Sequence, residues 1–278
     1  SLVEGPDGGW YLFHLGSRKN RFGGWSVPGR ETFLQNVRWD EDGWLRLSAV
    51  GYHPAETALA PAAEAQKDDF YRKYELFGIL DPHFLSLRVP PDRQICSMWA
   101  RPGFLRLFGR ESILSHHRQS FLGTQICDVP FSATTELEFE PAIYQQAAGL
   151  CLSYHTANFY YLQITWHEKL GKCVRLMIRD GRKTRLSPAM RLADGPVLLR
   201  ADMTALEVRF FFRTLYDEGW TEIAPDGAPL PTRILSDEYA GVSGEQGFTG
   251  AFVGLCCQDQ TGSALPADFR FLDIARLE

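Results

Sequence analysis

Hydrophobic and polar residues alternate with a period of two over much of this chain, the pattern of strands with one buried face. Residues 131–140 put Ala133, Thr135, Leu137 and Phe139 on one side and Thr134, Glu136, Glu138 and Glu140 on the other. Residues 206–213 repeat the pattern, with Leu206, Val208, Phe210 and Phe212 expected inward and Glu207, Arg209 and Arg213 outward. Further strands are predicted over 149–154, 159–166, 174–178, 197–201, 251–257 and 269–274. Turn residues separate them: Thr156-Ala157-Asn158, Asp180-Gly181, Asp194-Gly195-Pro196 and Asp226-Gly227. Many short strands at such spacing predict a two-sheet antiparallel β-sandwich. No helix of good length is expected, so the fold class is all-β.

The first 54 residues differ in character. Ser1-Leu2-Val3-Glu4, the turn Gly5-Pro6-Asp7-Gly8-Gly9 and Trp10–Leu15 read as a hairpin, followed by strands over 32–37 and 44–47. A loop dense in Gly and Arg, residues 16–30, separates the first two. Residues 55–69 are Ala-rich and polar with little periodicity and read as a surface connector. The expected organisation is 1–54, a connector at 55–69, and a sandwich at 70–278. A lone hairpin is marginal in water, so a chain that opens on one, with no Met and no leader, is expected to be a fragment of a larger sheet structure.

Composition narrows the classes. The chain has 278 residues, 45% of them apolar, and a net charge of −5, which fits a globular protein and gives no electrostatic support to nucleic acid or an anionic membrane as partner. No apolar run approaches the roughly 20 residues of a membrane span. The six cysteines, Cys96, Cys127, Cys151, Cys173, Cys256 and Cys257, form no CxxC pair. All but Cys173 sit in apolar or strand-like contexts; the six are read first as buried free thiols, with some disulfide or a metal site as alternatives, which favours a reducing, cytoplasmic compartment, a secreted location being the alternative if an upstream leader was lost. Neighbours on a strand point to opposite faces, so Cys256 and Cys257 are not expected to clamp one ion.

Among 34 acidic residues, no pair is marked by an apolar setting that would raise a pKa. Glu31 reads as a structural ion-pair residue or a direct substrate contact. Arg30 follows the Pro28-Gly29 turn at a sheet rim, where its five fixed donors suit either a stapling salt bridge or sugar hydroxyls. Phe248 stands among glycines before a buried strand, as a core plug or as a tip inserted elsewhere. Trp166, Trp220, Tyr160 and Tyr161 could stack on sugar rings, although aromatics on alternating strands more often pack in cores. His116 and His117 face apart on a strand, and His14 and His155 read as ordinary strand and turn residues. Asp268 could hold a structural cation, but no second ligand can be named; no metal and no cofactor are expected.

Several segments together resemble the C-terminal half of glycoside hydrolase family 43, in its β-xylosidase branch. They are Asp7-Gly8-Gly9-Trp10-Tyr11-Leu12-Phe13-His14-Leu15, Pro28-Gly29-Arg30-Glu31-Thr32 through Trp39, and Asp42-Gly43-Trp44-Leu45-Arg46-Leu47 in the first stretch. In the second they are Arg101-Pro102-Gly103-Phe104 through Ser112, Gln145–Leu150, Ser236-Asp237-Glu238-Tyr239 and Phe248-Thr249-Gly250-Ala251 through Asp259. Their order and spacing carry the match, which covers nearly the whole chain apart from the connector.

The resemblance implies a concanavalin A-like sandwich preceded by the last part of a five-bladed β-propeller. The family's general base, general acid and acid-tuning Asp lie in earlier blades, outside this chain. By the same resemblance Arg30 reaches the subsite of the non-reducing sugar and Phe248 closes the active-site pocket. The expected function is the C-terminal part of an inverting glycosidase that removes xylose or arabinofuranose from xylo-oligosaccharides. Its expected partners are such oligosaccharides or arabinoxylan fragments and the N-terminal propeller portion, with homo-oligomerisation left open. The alternatives are a free-standing carbohydrate-binding module and a purely structural sandwich.

Overall fold

The computed structural model describes residues 1–48, 54–55, 57–58, 70–240 and 247–277. The connector expected at 55–69 lies almost wholly outside them. The chain divides into two compact units, Ser1–Arg18 with Arg30–Asp69, and Lys19–Gly29 with Phe70–Glu278.

The first unit is a four-stranded antiparallel sheet of β1 (Leu2–Glu4), β2 (Trp10–Gly16), β3 (Glu31–Trp39) and β4 (Leu45–Leu47), hydrogen-bonded in that order. The opening hairpin forms with Val3 opposite Tyr11. Its turn is held by Asp7, whose carboxylate accepts the Gly9 amide at 3.0 Å and the Tyr11 hydroxyl at 2.6 Å. Tyr11, Gln35 and Val37 are buried, whereas Leu15, Trp39 and Trp44 are exposed.

The second unit carries β5 (Lys73–Glu75), β6 (Cys96–Ser97), β7 (Leu105–Phe108), β8 (Ser120–Gln125), β9 (Phe131–Glu138), β10 (Gln146–His155), β11 (Asn158–His167), β12 (Gly171–Asp180) and β13 (Lys183–Leu186). It continues through β14 (Met190–Arg191), β15 (Val197–Met203), β16 (Glu207–Thr214), β17 (Thr221–Ile223), β18 (Leu230–Pro231), β19 (Phe252–Asp259) and β20 (Pro266–Arg276). One sheet runs β13-β12-β11-β10-β19-β8 with β14 on β12. The other runs β17-β16-β15-β9-β20-β7-β6, with β18 on β16 and β5 on β20. Every named pairing is antiparallel. The only α-helical turn among the described residues is α1 (Asp237–Ala240), and no described helix is long and apolar enough to cross a membrane.

Period-two patterning explains the core. Ala133 and Leu137 of β9, Leu199 of β15, Phe210 of β16 and Phe269 of β20 meet Leu150, Leu162, Leu176 and Leu255 of the opposing sheet in one buried cluster. The seven-stranded sheet is buried on its other face as well. There Phe121, Cys151, Phe159, Tyr161 and Cys256 form a second cluster beneath Ile113, with Leu87 and Leu114 packed against it. Cys256 and Cys257 therefore enter different clusters, as their alternation requires. All six cysteines are free thiols. Cys173, which the sequence set apart, is buried on β12 like the others of that sheet.

One side chain expected inward is not. Leu206 is 51% exposed because it precedes β16, in a turn where Thr204 N donates to Glu207 O at 2.8 Å and Leu206 N donates to Thr204 Oγ1 at 3.3 Å. A residue in a turn no longer follows the pleat that orients Val208, Phe210 and Phe212.

Candidate functional site

In the first unit, Arg30 is exposed and stands immediately before β3. Glu31 opens β3 and forms a two-pronged ion pair with Arg18, with Nε–Oε2 and Nη2–Oε1 both 2.7 Å. The bidentate fork fixes both planes, and the partner of Glu31 is Arg18 rather than the adjacent arginine.

In the second unit, Phe248 is 52% exposed while Gly247, Gly250 and Ala251 around it are buried; the preceding Gly244-Glu245-Gln246 of its loop lies outside the described residues. Tight contacts explain the glycines. A Cβ on Gly247 would lie 2.6 Å from the Tyr154 hydroxyl oxygen, and one on Gly250 (φ +75°) would lie 2.1 Å from Pro28 O. A Cβ on Gly29 (φ +77°) would in turn fall 2.3 Å from Gly250 N. Ala251 N donates to Val27 O at 2.9 Å, and Gln125 Nε2 donates to Pro28 O at 2.8 Å and Thr249 O at 3.4 Å. Phe248 is thus a large apolar ring carried on backbone that has almost no room to move.

Beneath that backbone sits Tyr154, the buried penultimate residue of β10. Its hydroxyl donates to the carboxylate of Asp237, and the backbone amides of Gly250 and Thr249 lie near enough to favour its charged form. Burial first, then the Asp237 carboxylate, raise its pKa well above the ordinary tyrosine range, while the two amides pull the other way. One residue on, Glu238 accepts Ser26 N at 2.8 Å and pairs with Lys19 at 3.4 Å.

The other candidates fall elsewhere. Tyr160 and Tyr161 are fully buried and offer no stacking face. Trp220 is partly exposed, but the guanidiniums of Arg200 and Arg213 lie 5.6 and 5.2 Å from its ring; Trp166 is half-buried at the end of β11. His14 stacks on Phe33 at 5.7 Å, and His155 Nδ1 accepts the Ala157 amide at 3.1 Å. Asp268 meets fixed cations in place of an ion: its oxygens accept Arg106 Nε and Nη2 at 2.7 and 2.8 Å and Arg101 Nη1 at 2.9 Å. Partial burial works against its charge, but the Arg106 and Arg101 guanidiniums win and hold its carboxyl below the usual range. No described group of three or more His, Cys, Asp or Glu is arranged to hold a metal ion.

Gln125, Tyr154 and Asp237 escaped the sequence reading. Tyr154 looks like any strand aromatic, and Gln125 like any strand-end polar residue. Asp237 and Glu238 did carry a signal, as neighbouring acids in the Ser236–Tyr239 motif that resembles the family.

Two opposed antiparallel sheets with both faces of one buried, and an exposed aromatic tip on a glycine-walled loop, define a lectin-like accessory sandwich. The chain belongs to the family described as the β-xylosidase C-terminal concanavalin A-like domain of glycoside hydrolase family 43, whose model matches residues 68–275. It is 33% identical over 290 residues to the beta-xylosidase of Bacillus subtilis strain 168, covering 98% of this chain and 52% of that protein. It is 31% identical over 289 residues to the non-reducing end alpha-L-arabinofuranosidase BoGH43B of Bacteroides ovatus, covering 100% of this chain and 50% of that protein. The crystal structure of xylan beta-1,4-xylosidase from Bacillus halodurans C-125 matches with a TM-score of 0.91 and 33% identity, over 99% of this chain and 52% of that one. The chain spans about half the length of the curated relatives it matches.

Proposed function

We propose that this chain forms the rim and lid side of a glycosidase that removes xylose from the non-reducing ends of xylo-oligosaccharides. The acid and base of inversion, carboxyls roughly 6.5–9.5 Å apart, would be supplied by the other half of such a protein. The similarity to a xylosidase and a xylan xylosidase, each about twice as long, supports this division. Residues 1–54 would close a propeller, 55–69 connect, and 70–278 form the sandwich.

The observation that carries the reading is Phe248, a half-exposed ring on a loop whose neighbouring glycines are pinned. A fixed apolar wall excludes water and limits a pocket to short substrates. Arg30, exposed at the start of β3, would supply guanidinium donors to sugar hydroxyls.

The test is kinetic, in the full-length protein that contains this chain. Phe248→Ala and Arg30→Ala should each lower kcat/KM on xylobiose at least about tenfold, the loss of one good transition-state contact. The isolated chain should not turn over a nitrophenyl xyloside. Unchanged kinetics in both variants would favour a purely structural sandwich, and turnover by the isolated chain would sink the division of labour. The Bacteroides ovatus relative favours a second reading, arabinofuranose as the released sugar. Comparing nitrophenyl xyloside with nitrophenyl arabinofuranoside decides between the two.

A further inference from the structure

The Ser236-Asp237-Glu238 turn sends its two carboxylates to different places. Asp237 receives the Tyr154 hydroxyl, and Tyr154 packs against Gly247, the residue before the Phe248 tip. On one side Gly247 lies so close that a Cβ there would come within 2.6 Å of the hydroxyl oxygen and 3.0 Å of the ring. On the other, the amides of Gly250 and Thr249 lie near enough to the same oxygen to favour its charged form. The backbone from 247 to 250 therefore wraps around one phenol, and that phenol is oriented by one carboxylate.

Glu238 holds the second loop. Its Oε2 accepts the Ser26 amide at 2.8 Å and its Oε1 pairs with Lys19 at 3.4 Å. Asp237 N also donates to Ser26 O at 3.0 Å, so Ser26 is gripped at both its backbone groups by consecutive residues of the turn. Ser26 Oγ in turn donates to Gly29 O at 3.2 Å.

A buried phenol that gives its one proton to a buried carboxylate has that proton committed. Rotation of the hydroxyl would leave buried polar groups unpaired, which costs more than the hydrogen bonds contribute. We infer that Tyr154 and Asp237 are positioning residues for the Phe248 tip, and that Glu238 sets the Lys19–Gly29 loop from the same turn. The inference rests on the reading of Phe248 as a pocket wall only for its kinetic consequence. Its structural content stands apart from that reading.

Hydrogen exchange on this chain tests the structural content. Tyr154→Phe keeps the ring against Gly247 and removes only the hydroxyl, and Asp237→Asn keeps the shape of the acceptor. In both, the amides of residues 249 and 250 should exchange about tenfold faster or more, as expected when the Tyr154–Asp237 bond that supports this backbone is lost, while amides of β9 and β15 keep their protection. Unchanged exchange at 249 and 250 in Tyr154→Phe overturns the inference. So does equal acceleration across β9 and β15, which would mean general loosening of the sandwich.

Kinetics of the full-length protein on xylobiose then separate the two readings. Tyr154→Phe should raise KM several-fold with kcat within about twofold, and the double variant with Phe248→Ala should be no worse than Phe248→Ala alone, because the phenol acts only through that ring. If exchange rises at 249 and 250 but neither Tyr154→Phe nor Phe248→Ala changes KM, the clamp is upheld and the pocket-wall reading fails. Additive effects of the two substitutions would overturn the positioning role.

Discussion

Gly29 and Gly250 meet backbone to backbone, so closely that a Cβ on either would overlap the other's chain: 2.3 Å to Gly250 N from one side and 3.1 Å to Gly29 N, with 2.1 Å to Pro28 O, from the other. Both also hold positive φ, +77° and +75°. Each position therefore excludes a side chain twice, by conformation and by space.

Gly250→Ala should accordingly destabilise the chain by about 3 kcal/mol or more, combining left-handed strain with overpacking against backbone that cannot rotate away. That corresponds to a fall in Tm of about 6–12 °C, to be read by calorimetry. Gly262→Ala is the matched control, since Gly262 also has positive φ (+85°) but nothing within 4 Å of its added Cβ. Equal losses at the two sites would refute the packing half of the argument.

Asp259 governs an acid limb of stability. Partial burial pushes its pKa up, but the Leu265 and Thr261 amides and the Ser263 and Thr261 hydroxyls outweigh it and hold the carboxyl at about 2, well below its ordinary 3.8. A lowered folded pKa means that the contribution is complete above the unfolded value and is lost as pH falls through the folded one. Stability of about 2 kcal/mol should therefore disappear between about pH 4 and pH 2. Urea midpoints over that range should show a shallower limb in Asp259→Asn, and identical limbs would contradict the assignment.

Asp268 sits between Arg106 and Arg101 with its side chain nearly buried. Asp268→Ala strands two guanidiniums and should cost about 2–4 kcal/mol. Because arginines already occupy the carboxylate, adding calcium or a chelator should leave the wild-type Tm unchanged. A calcium-dependent rise in Tm that Asp268→Ala abolishes would restore a cation site there.

The thiols make a further prediction. Burial pushes the Cys151, Cys256 and Cys257 thiols up, Cys256 to about 12, and only the thiolate is nucleophilic. Iodoacetamide at pH 8 should leave these three and the buried Cys173 unmodified in native protein, and all six should react in urea. Mass spectrometry of the native adducts checks this; modification of Cys151 or Cys256 before unfolding would contradict the burial of that sheet face.

Most strands were legible because alternation is local. Phe131–Glu138 and Glu207–Thr214 form where their patterns place them, since a strand with one face in the core must repeat every two residues. β10 and β11 are buried on both faces. Their sequences read as strands but gave no sign of which aromatics were covered, so Tyr160 and Tyr161 remained candidates for sugar stacking. Leu206 misled for the opposite reason: a turn adds a bend that hydrophobicity does not encode.

The sequence by itself determined the all-β class, the turn positions, the family motifs, and that Arg30, Glu31 and Phe248 stand in them. Those depend on neighbouring residues and survive any rearrangement of distant segments. Only the tertiary structure decided that Glu31 answers to Arg18, that Asp268 is neutralised by Arg101 and Arg106, and that Gln125, Tyr154 and Asp237 hold the backbone at Phe248. These partners are separated by 13 to 167 residues, and side chains that far apart are brought together by sheet pairing and core burial, not by local spacing.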